Sequence, residues 1–190
     1  LLDKQSFSGE SDIEITLFQG IPKQGKMETI VQKCVELGVK EIVPVFMDRT
    51  VVVDRGNFGK KIQRWNKVSA EAVKQCRRGI VPEVREPWKM KEIYELFDDY
   101  DLVLFPYENE KGTTIKEELL AAANPLYAEI TGNVLERIAV IIGPEGGFSE
   151  AEAGEIVSHG GKSVSLGRRI LRTETAGMAA IAMIMYELEL

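Results

Sequence analysis

The chain has 190 residues with a formal net charge of −6, and is 44% hydrophobic and 28% charged, a size and balance that suit one packed domain. The overall charge alone argues against nucleic acid, but a sum hides local fields, and the stretch Lys60 to Arg78 sets seven basic residues against one acidic residue, Glu71. Two isolated cysteines, Cys34 and Cys76, exclude a disulfide framework and a CxxC metal site. The most apolar stretch, Ala176 to Tyr186, is too short and Ala-rich to span a membrane, so a soluble, metal-free, cytoplasmic protein is expected.

Residues 1 to 12 are polar and without pattern, and read as a linker or as the remnant of something longer. Ile13 to Phe18 alternates as a first strand, ended by the punctuation of Gly20, Pro22 and Gly25. Met27 to Leu37 places Met27, Ile30, Val31, Cys34, Val35 and Leu37 around one helical face, and Gly38 is the expected glycine at its C-terminus. Glu41 to Phe46 is a second strand, and the β-branched run Thr50 to Val53 predicts another after a short break. Asn57 to Arg78 is a long helix with Ile62, Trp65, Ser69, Ala72, Val73 and Cys76 on one face. Its opposite stripe carries Lys60, Arg64, Lys67, Lys74 and Arg78, and a solvated outer face and an RNA-contacting face both fit it.

Pro82 to Pro87 reads as a connection and Trp88 to Phe97 as an amphipathic helix. Asp101 to Phe105 is a buried strand, followed by the polar loop Tyr107 to Thr113 and a helix over Ile115 to Ala123. Asn124 to Arg137 is turn-rich. Strands alternating with helices predict an α/β fold with a mostly parallel sheet covered on both faces.

The C-terminal third organises the rest. Ile138 to Ile142 is an unbroken apolar run, the pattern of a strand buried on both faces, and it stops at the turn Gly143-Pro144-Glu145-Gly146-Gly147. Ser149 with Glu152 three residues later has capping-box spacing and predicts a helix start. The plan then repeats: Ser163 to Leu166 as a strand, Gly167 to Arg172 as a loop, and Thr173 or Thr175 as the cap of a final helix. Two parallel strands would deliver both glycine-bearing loops to one sheet edge, where ligands of open α/β sheets bind. The first turn is not a phosphate loop, because no Gly-Lys-Ser/Thr follows, and tight helix-to-strand packing explains it equally well.

His159, the single histidine, stands before Gly160 and Gly161 and reads as a helix terminator. With one His and no Ser or Cys in a nucleophile setting, a hydrolytic triad is not expected. Met178, Ile181, Met183, Ile184 and Met185 read as core. Arg168, Arg169 and Arg172 in one short loop point to an anionic partner or to developing negative charge, with an exposed capping loop as the plain alternative. Glu174 reads first as a helix-dipole carboxylate.

The segments IGPEGGFSEAE and LGRRILRTETA resemble the signature of the knotted SPOUT methyltransferases, and among them the RsmE-type ribosomal RNA uridine-N3 methyltransferases. PKQGKMETIVQKCVELGV (Pro22 to Val39) and EAVKQCRRGIVPEV (Glu71 to Val84) match the same family, so the likeness runs from residue 13 onward. The resemblance implies a SPOUT domain over 13–190, with a C-terminal trefoil knot, an exception to the unknotted rule. It implies S-adenosylmethionine (SAM) as cofactor, a homodimer, and a uridine of small-subunit (16S) ribosomal RNA as substrate.

Carried over by position, one cofactor loop is Leu104, Phe105 and Pro106. A second is Ile142, Gly143, Pro144, Glu145, Gly146 and Gly147. The third runs from Leu166 and Gly167 through Ile170, Leu171 and Arg172 to Thr175 and Ala176. Arg172 would be catalytic, stabilising charge as uridine N3 loses its proton, with Glu174 or solvent as the base, and Arg78 and Arg169 would hold RNA. Family members carry an N-terminal PUA-like barrel for which this chain has no room, residues 1–12 being its tail. A small residue usually stands where this chain has Arg77. Two other functions fit a SPOUT-like chain: methylation of the ribose 2′-hydroxyl, told apart by mapping the product methyl, and RNA binding without catalysis, told apart by absence of cofactor binding.

Overall fold

The computed structural model describes residues 10–23, 25–53, 58–123 and 135–189. Among them, β1 (Glu14–Gly20), β2 (Glu41–Phe46), β3 (Glu83–Val84), β4 (Trp88–Lys89), β5 (Leu102–Pro106), β6 (Arg137–Ile142) and β7 (Lys162–Val164) form one sheet. Its spatial order is β3-β2-β1-β6-β5-β7, with β4 paired to the far half of β2. Every pairing is parallel. The helices are α1 (Lys26–Glu36), α2 (Phe58–Cys76), α3 (Met90–Tyr94), α4 (Ile115–Ala122), α5 (Glu150–Ser158) and α6 (Thr173–Glu189).

Both faces are covered, as a parallel sheet requires. Ile15, Leu17, Ile138 and Val140 point to one core, shared with α1, α2, α4 and α6. The alternate residues Phe18, Ala139 and Ile141 point to the other, shared with α3 and α5. The period-2 alternation of strand side chains thus explains why β6 is apolar at every position from Ile138 to Ile142. On α2 the expected face is seated as read, with Phe58 edge-on to both Phe46 and Trp65 at 5.4 and 6.1 Å.

Several expectations are corrected. Thr50 to Val53 is no strand: Thr50 closes a turn on Met47, and Val51 and Val53 are 66% and 68% exposed with no strand to pair them. The helix read over Trp88 to Phe97 divides into β4, a short α3 and a 3-10 turn at Phe97–Asp99. Thr173 is the first residue of α6 and its side chain serves the sheet, accepting from Gln19 Nε2 and donating to the Gly143 carbonyl at 2.7 Å. Of the methionine-rich cluster, Ile181, Ile184 and Met185 are buried, but Met183 is exposed. The linker read over 1–12 lies outside the described residues as far as 9, and Glu10 is fastened to Arg78. Most of the turn-rich segment after Ala123 also lies outside them.

Other readings stand. Ser149 and Glu152 form the reciprocal capping box at the head of α5. His159 caps its C-terminus, stacked on Tyr94 at 4.6 Å, and is followed by Gly160 at φ +96°. Arg77 ends α2 at φ +60°, a left-handed conformation that favours glycine, which accounts for the small residue expected there.

After β7 the chain returns from the sheet edge across the carboxyl ends of β5 and β6. Thr173 meets Gly143 there, and Gln19 of β1 donates to the Thr173 hydroxyl at 2.9 Å. Gly20 permits that crossing, since a Cβ added to it would lie 2.6 Å from Pro144 N and 2.9 Å from Gly143 C. Backbone cannot yield to such a contact, so Gly20→Ala should destabilise the domain by about 1–3 kcal/mol. Urea denaturation measures this, and an unchanged midpoint would show that the close approach does not matter.

Candidate active site

Three loops at the carboxyl ends of β5, β6 and β7 enclose a cavity of about 860 Å³. Pro106, Ile142, Phe148, Leu166 and Leu171 supply apolar wall, and charged groups stand at Lys26, Glu108 and three arginines. Size and mixed lining fit a small-molecule pocket of roughly 300–1,000 Å³.

The glycine turn is held from outside the cavity. Arg49 donates to the Gly146 carbonyl at 2.8 Å, and Ser149 donates to Asp48 at 2.7 Å. Glu152 is buried, and accepts from Asp48 N at 2.7 Å as well as from Ser149 N at 3.0 Å. Gly147 takes φ +67°, which a side chain rarely adopts. Phe148 then packs edge-on to Phe105 at 5.6 Å.

The loop after β5 is tied to the loop after β7. Tyr107 N donates to Val164 O at 3.0 Å and Ser165 N to Thr113 O at 2.8 Å. The Glu110 carboxylate accepts from Ser163 Oγ at 2.6 Å, Gly112 N at 2.8 Å and Thr113 N at 3.1 Å. These bonds, the Ser163 hydroxyl first, pull its carboxyl down from 4.5 to about 2.

Most of the residues carried over by resemblance meet here. Pro106, Ile142, Gly143, Pro144, Glu145, Gly147, Leu166, Gly167, Ile170, Leu171, Arg172 and Ala176 all line the cavity. Leu104 and Phe105 do not, being wholly buried within β5. Gly146 lies against Arg49 instead, and Thr175 is exposed outside the lining. Glu174 is likewise outside the lining and paired with Lys26 at 3.0 Å. Arg169 lines the cavity and is exposed.

Arg78, expected to hold RNA, is bound within the fold. Its side chain is only 8% exposed. Its guanidinium donates to Glu10 and to the carbonyls of Val35 and Val39 at 2.9 and 2.8 Å. With its donors spent inside the fold, it joins the end of α2 to the end of α1.

Sequence reading missed Lys26, Glu108, Glu110 and Thr173 as parts of the site. Lys26 stood in a matched motif, whereas Glu108 and Glu110 sit in a polar loop with no pattern to mark them. The described residues contain no cluster of His, Cys, Asp or Glu able to hold a metal and no helix long and apolar enough to cross a membrane. Burial pushes the Cys34 thiol up to about 12, so it is inert core.

A parallel α/β sheet with a loop-built cavity at its strand ends, rimmed by arginine, defines a small-molecule site open to an anionic substrate. The chain belongs to the RNA methyltransferase domain family, whose model matches residues 9–185. Among its relatives, ribosomal RNA small subunit methyltransferase E of Bacillus subtilis is 33% identical over 182 residues, covering 95% of this chain and 69% of the relative. The enzyme of the same name from Buchnera aphidicola subsp. Schizaphis graminum is 35% identical, covering 95% and 68%. Among solved structures, ribosomal RNA small subunit methyltransferase E from Neisseria gonorrhoeae, bound to S-adenosyl methionine, superposes with a TM-score of 0.78 at 30% identity, covering 96% of this chain and 69% of that one. The chain thus spans about two thirds of the length of these relatives.

The Glu110 bonds give a pH prediction. A carboxyl whose folded value lies below its unfolded value adds stability above the unfolded value and loses it as pH falls through the folded one. Its contribution therefore fades between pH 4.5 and about 2. Glu110→Gln should melt below the parent at pH 7 and converge with it near the bottom of that window. Parallel melting curves at all pH values would contradict the tie.

Proposed function

We propose that this domain is a SAM-dependent methyltransferase that methylates N3 of a uridine in small-subunit ribosomal RNA. The observation that carries this reading is the rim formed by Arg168, Arg169 and Arg172 on the cavity of an RNA methyltransferase domain. All three are exposed, and none forms an ion pair among the described residues. Exposed, unpaired guanidiniums around a pocket suit phosphate and charge developing on a base.

The wall fits SAM on its own chemistry. Ile142, Leu166 and Leu171 offer apolar surface, the glycine turn brings main chain to the cavity, and Glu108 supplies a carboxylate acceptor. When bound, SAM would supply an electrophilic methyl on a sulfonium sulfur. Uridine N3 carries a proton and becomes nucleophilic as that proton leaves and charge spreads onto the carbonyl oxygens. Arg172 stabilises that charge, and Arg169 holds RNA phosphate. The proton passes to solvent, because Glu174 is held by Lys26 outside the cavity wall.

In the same reading the domain occupies 13–190, and its return from β7 under the earlier loops is the knotted crossing. The enzyme is a cytoplasmic homodimer, with Met183 and Tyr186, 41% and 69% exposed on α6, as apolar surface for the second copy.

Calorimetric titration with SAM should give saturable binding near one site per chain. In Gly143→Val the added Cβ lies 3.1 Å from Gly147 C and 3.4 Å from Phe148 Cδ2, and affinity should fall roughly tenfold or more. A folded parent that does not bind SAM would leave an RNA-binding module in place of the enzyme. Arg172→Ala should keep SAM affinity nearly unchanged and lower turnover on RNA by about 10²–10³. Unchanged turnover would remove Arg172 from the chemistry, and product mapped to ribose would replace the N3 assignment.

A further inference from the structure

One charged group of the cavity serves neither the apolar wall nor the arginine rim. Lys26, the first residue of α1, lines the cavity with its Nζ 3.2 Å from Glu145 Oε1 and 3.0 Å from Glu174 Oε2. The two carboxylates come from different places: Glu145 from the glycine turn after β6, Glu174 from the first turn of α6. Glu145 also accepts from Lys23 N at 2.9 Å, so the approach to α1 is pinned to the same turn. Glu174 Oε2 is buried, and no hydrogen bond of good geometry reaches it among the described residues. The Lys26 ammonium is therefore its charge partner by proximity.

The charge states follow from this packing. The Glu174 carboxylate beside it raises Lys26 above the ordinary lysine value. Burial pulls the Glu174 carboxyl up, but its own backbone N–H and the Lys26 ammonium outweigh it, and the net shift is downward. Glu145 behaves alike: burial raises it, and Lys23 N, its own N–H and Lys26 bring it down further. Near neutral pH one cation thus holds two anions. Without it, two carboxylates would face each other in a partly buried space, one of them with a buried oxygen left unpaired.

We propose that Lys26 is a positioning residue for methyl transfer, locking the glycine turn and the head of α6 into the arrangement that forms the cofactor cavity. It acts through Glu145 and Glu174, not by touching the reacting atoms. The inference rests on the SAM-dependent reading above.

The test uses K26Q, E174Q and the double variant, each followed by thermal melting without ligand and by SAM calorimetry. K26Q should melt below the parent and bind SAM roughly tenfold more weakly or worse, since misplaced loops forfeit affinity steeply. Adding E174Q should restore most of both losses, because the stranded carboxylate is then neutral. K26Q that binds SAM like the parent overturns the proposal. So does a loss that E174Q fails to restore, which would mean that Lys26 contacts the ligand directly. If K26Q does not fold, a folded, SAM-binding double variant supports the lock, and a double variant equally unfolded overturns it. A parent that does not bind SAM, while the melting of the variants still shows the rescue, sinks the cofactor reading and leaves Lys26 a structural lock only.

Discussion

The hydrogen bond from Thr173 to Gly143 is the constraint on which the site depends. It joins the start of the last helix to the end of the central strand β6, and Gln19 of β1 completes the junction from the neighbouring strand. Both side chains are buried, Gln19 completely, so an unmade bond here would strand polar atoms at a cost of about 1–3 kcal/mol. The direction of the Thr173 hydroxyl follows: it gives its proton to one strand end and receives one from the other. Because the glycine turn begins at Gly143, the same bond fixes where the cavity floor ends and where α6 begins. Ala176 and Gly177 follow within one turn, and the absence of larger side chains lets α6 lie against Leu17 and Gln19.

Charge in this molecule is sorted by what it pairs with, not by where the sequence concentrates it. The basic run along and just after α2 holds more cations than the arginine loop, yet Arg64 reaches Glu28, Lys74 reaches Glu71, and Arg78 is absorbed by Glu10 and two carbonyls. Exposed pairs of this kind add little to stability, but they lower the field that the helix presents. The smaller arginine group at 168–172 has no such partners among the described residues and stands on the cavity. The acidic side is sorted likewise: Glu152 holds loops, Glu110 holds loops, and Glu108 is directed to the cavity.

Much of this was legible in the sequence, for identifiable reasons. Ile138 to Ile142 could be read as a central strand because a strand buried on both faces has no polar position to spare. The head of α5 could be read because Ser149 and Glu152 satisfy each other locally. Thr50 to Val53 misled because β-branched residues favour extended backbone whether or not a neighbouring strand exists. Trp88 to Phe97 misled because its apolar spacing is shared between the edge of one strand and one turn of helix. The cavity loops were located by motif, but the contacts that hold them join residues up to 154 apart, and nothing local in Gln19, Lys26 or Glu110 announces a partner at that distance. Arg78 shows the converse: its family match is real, while its role is set by Glu10, a residue in a stretch that looked like linker.

The pairing of β1 with β6 has a consequence for how the chain is made. Glu14 lies against Arg137 and Gln19 against Ile142, so the middle of the sheet is closed by strands separated by more than half the chain. Contacts of such separation are slow to form. During synthesis, β1 and β2 with α1 and α2 can assemble early, but β1 must then wait with one edge open until β6 leaves the ribosome. Only after α6 follows can Thr173 settle on Gly143. The cavity is therefore complete only once α6 has formed, well after the first strands of the sheet have paired.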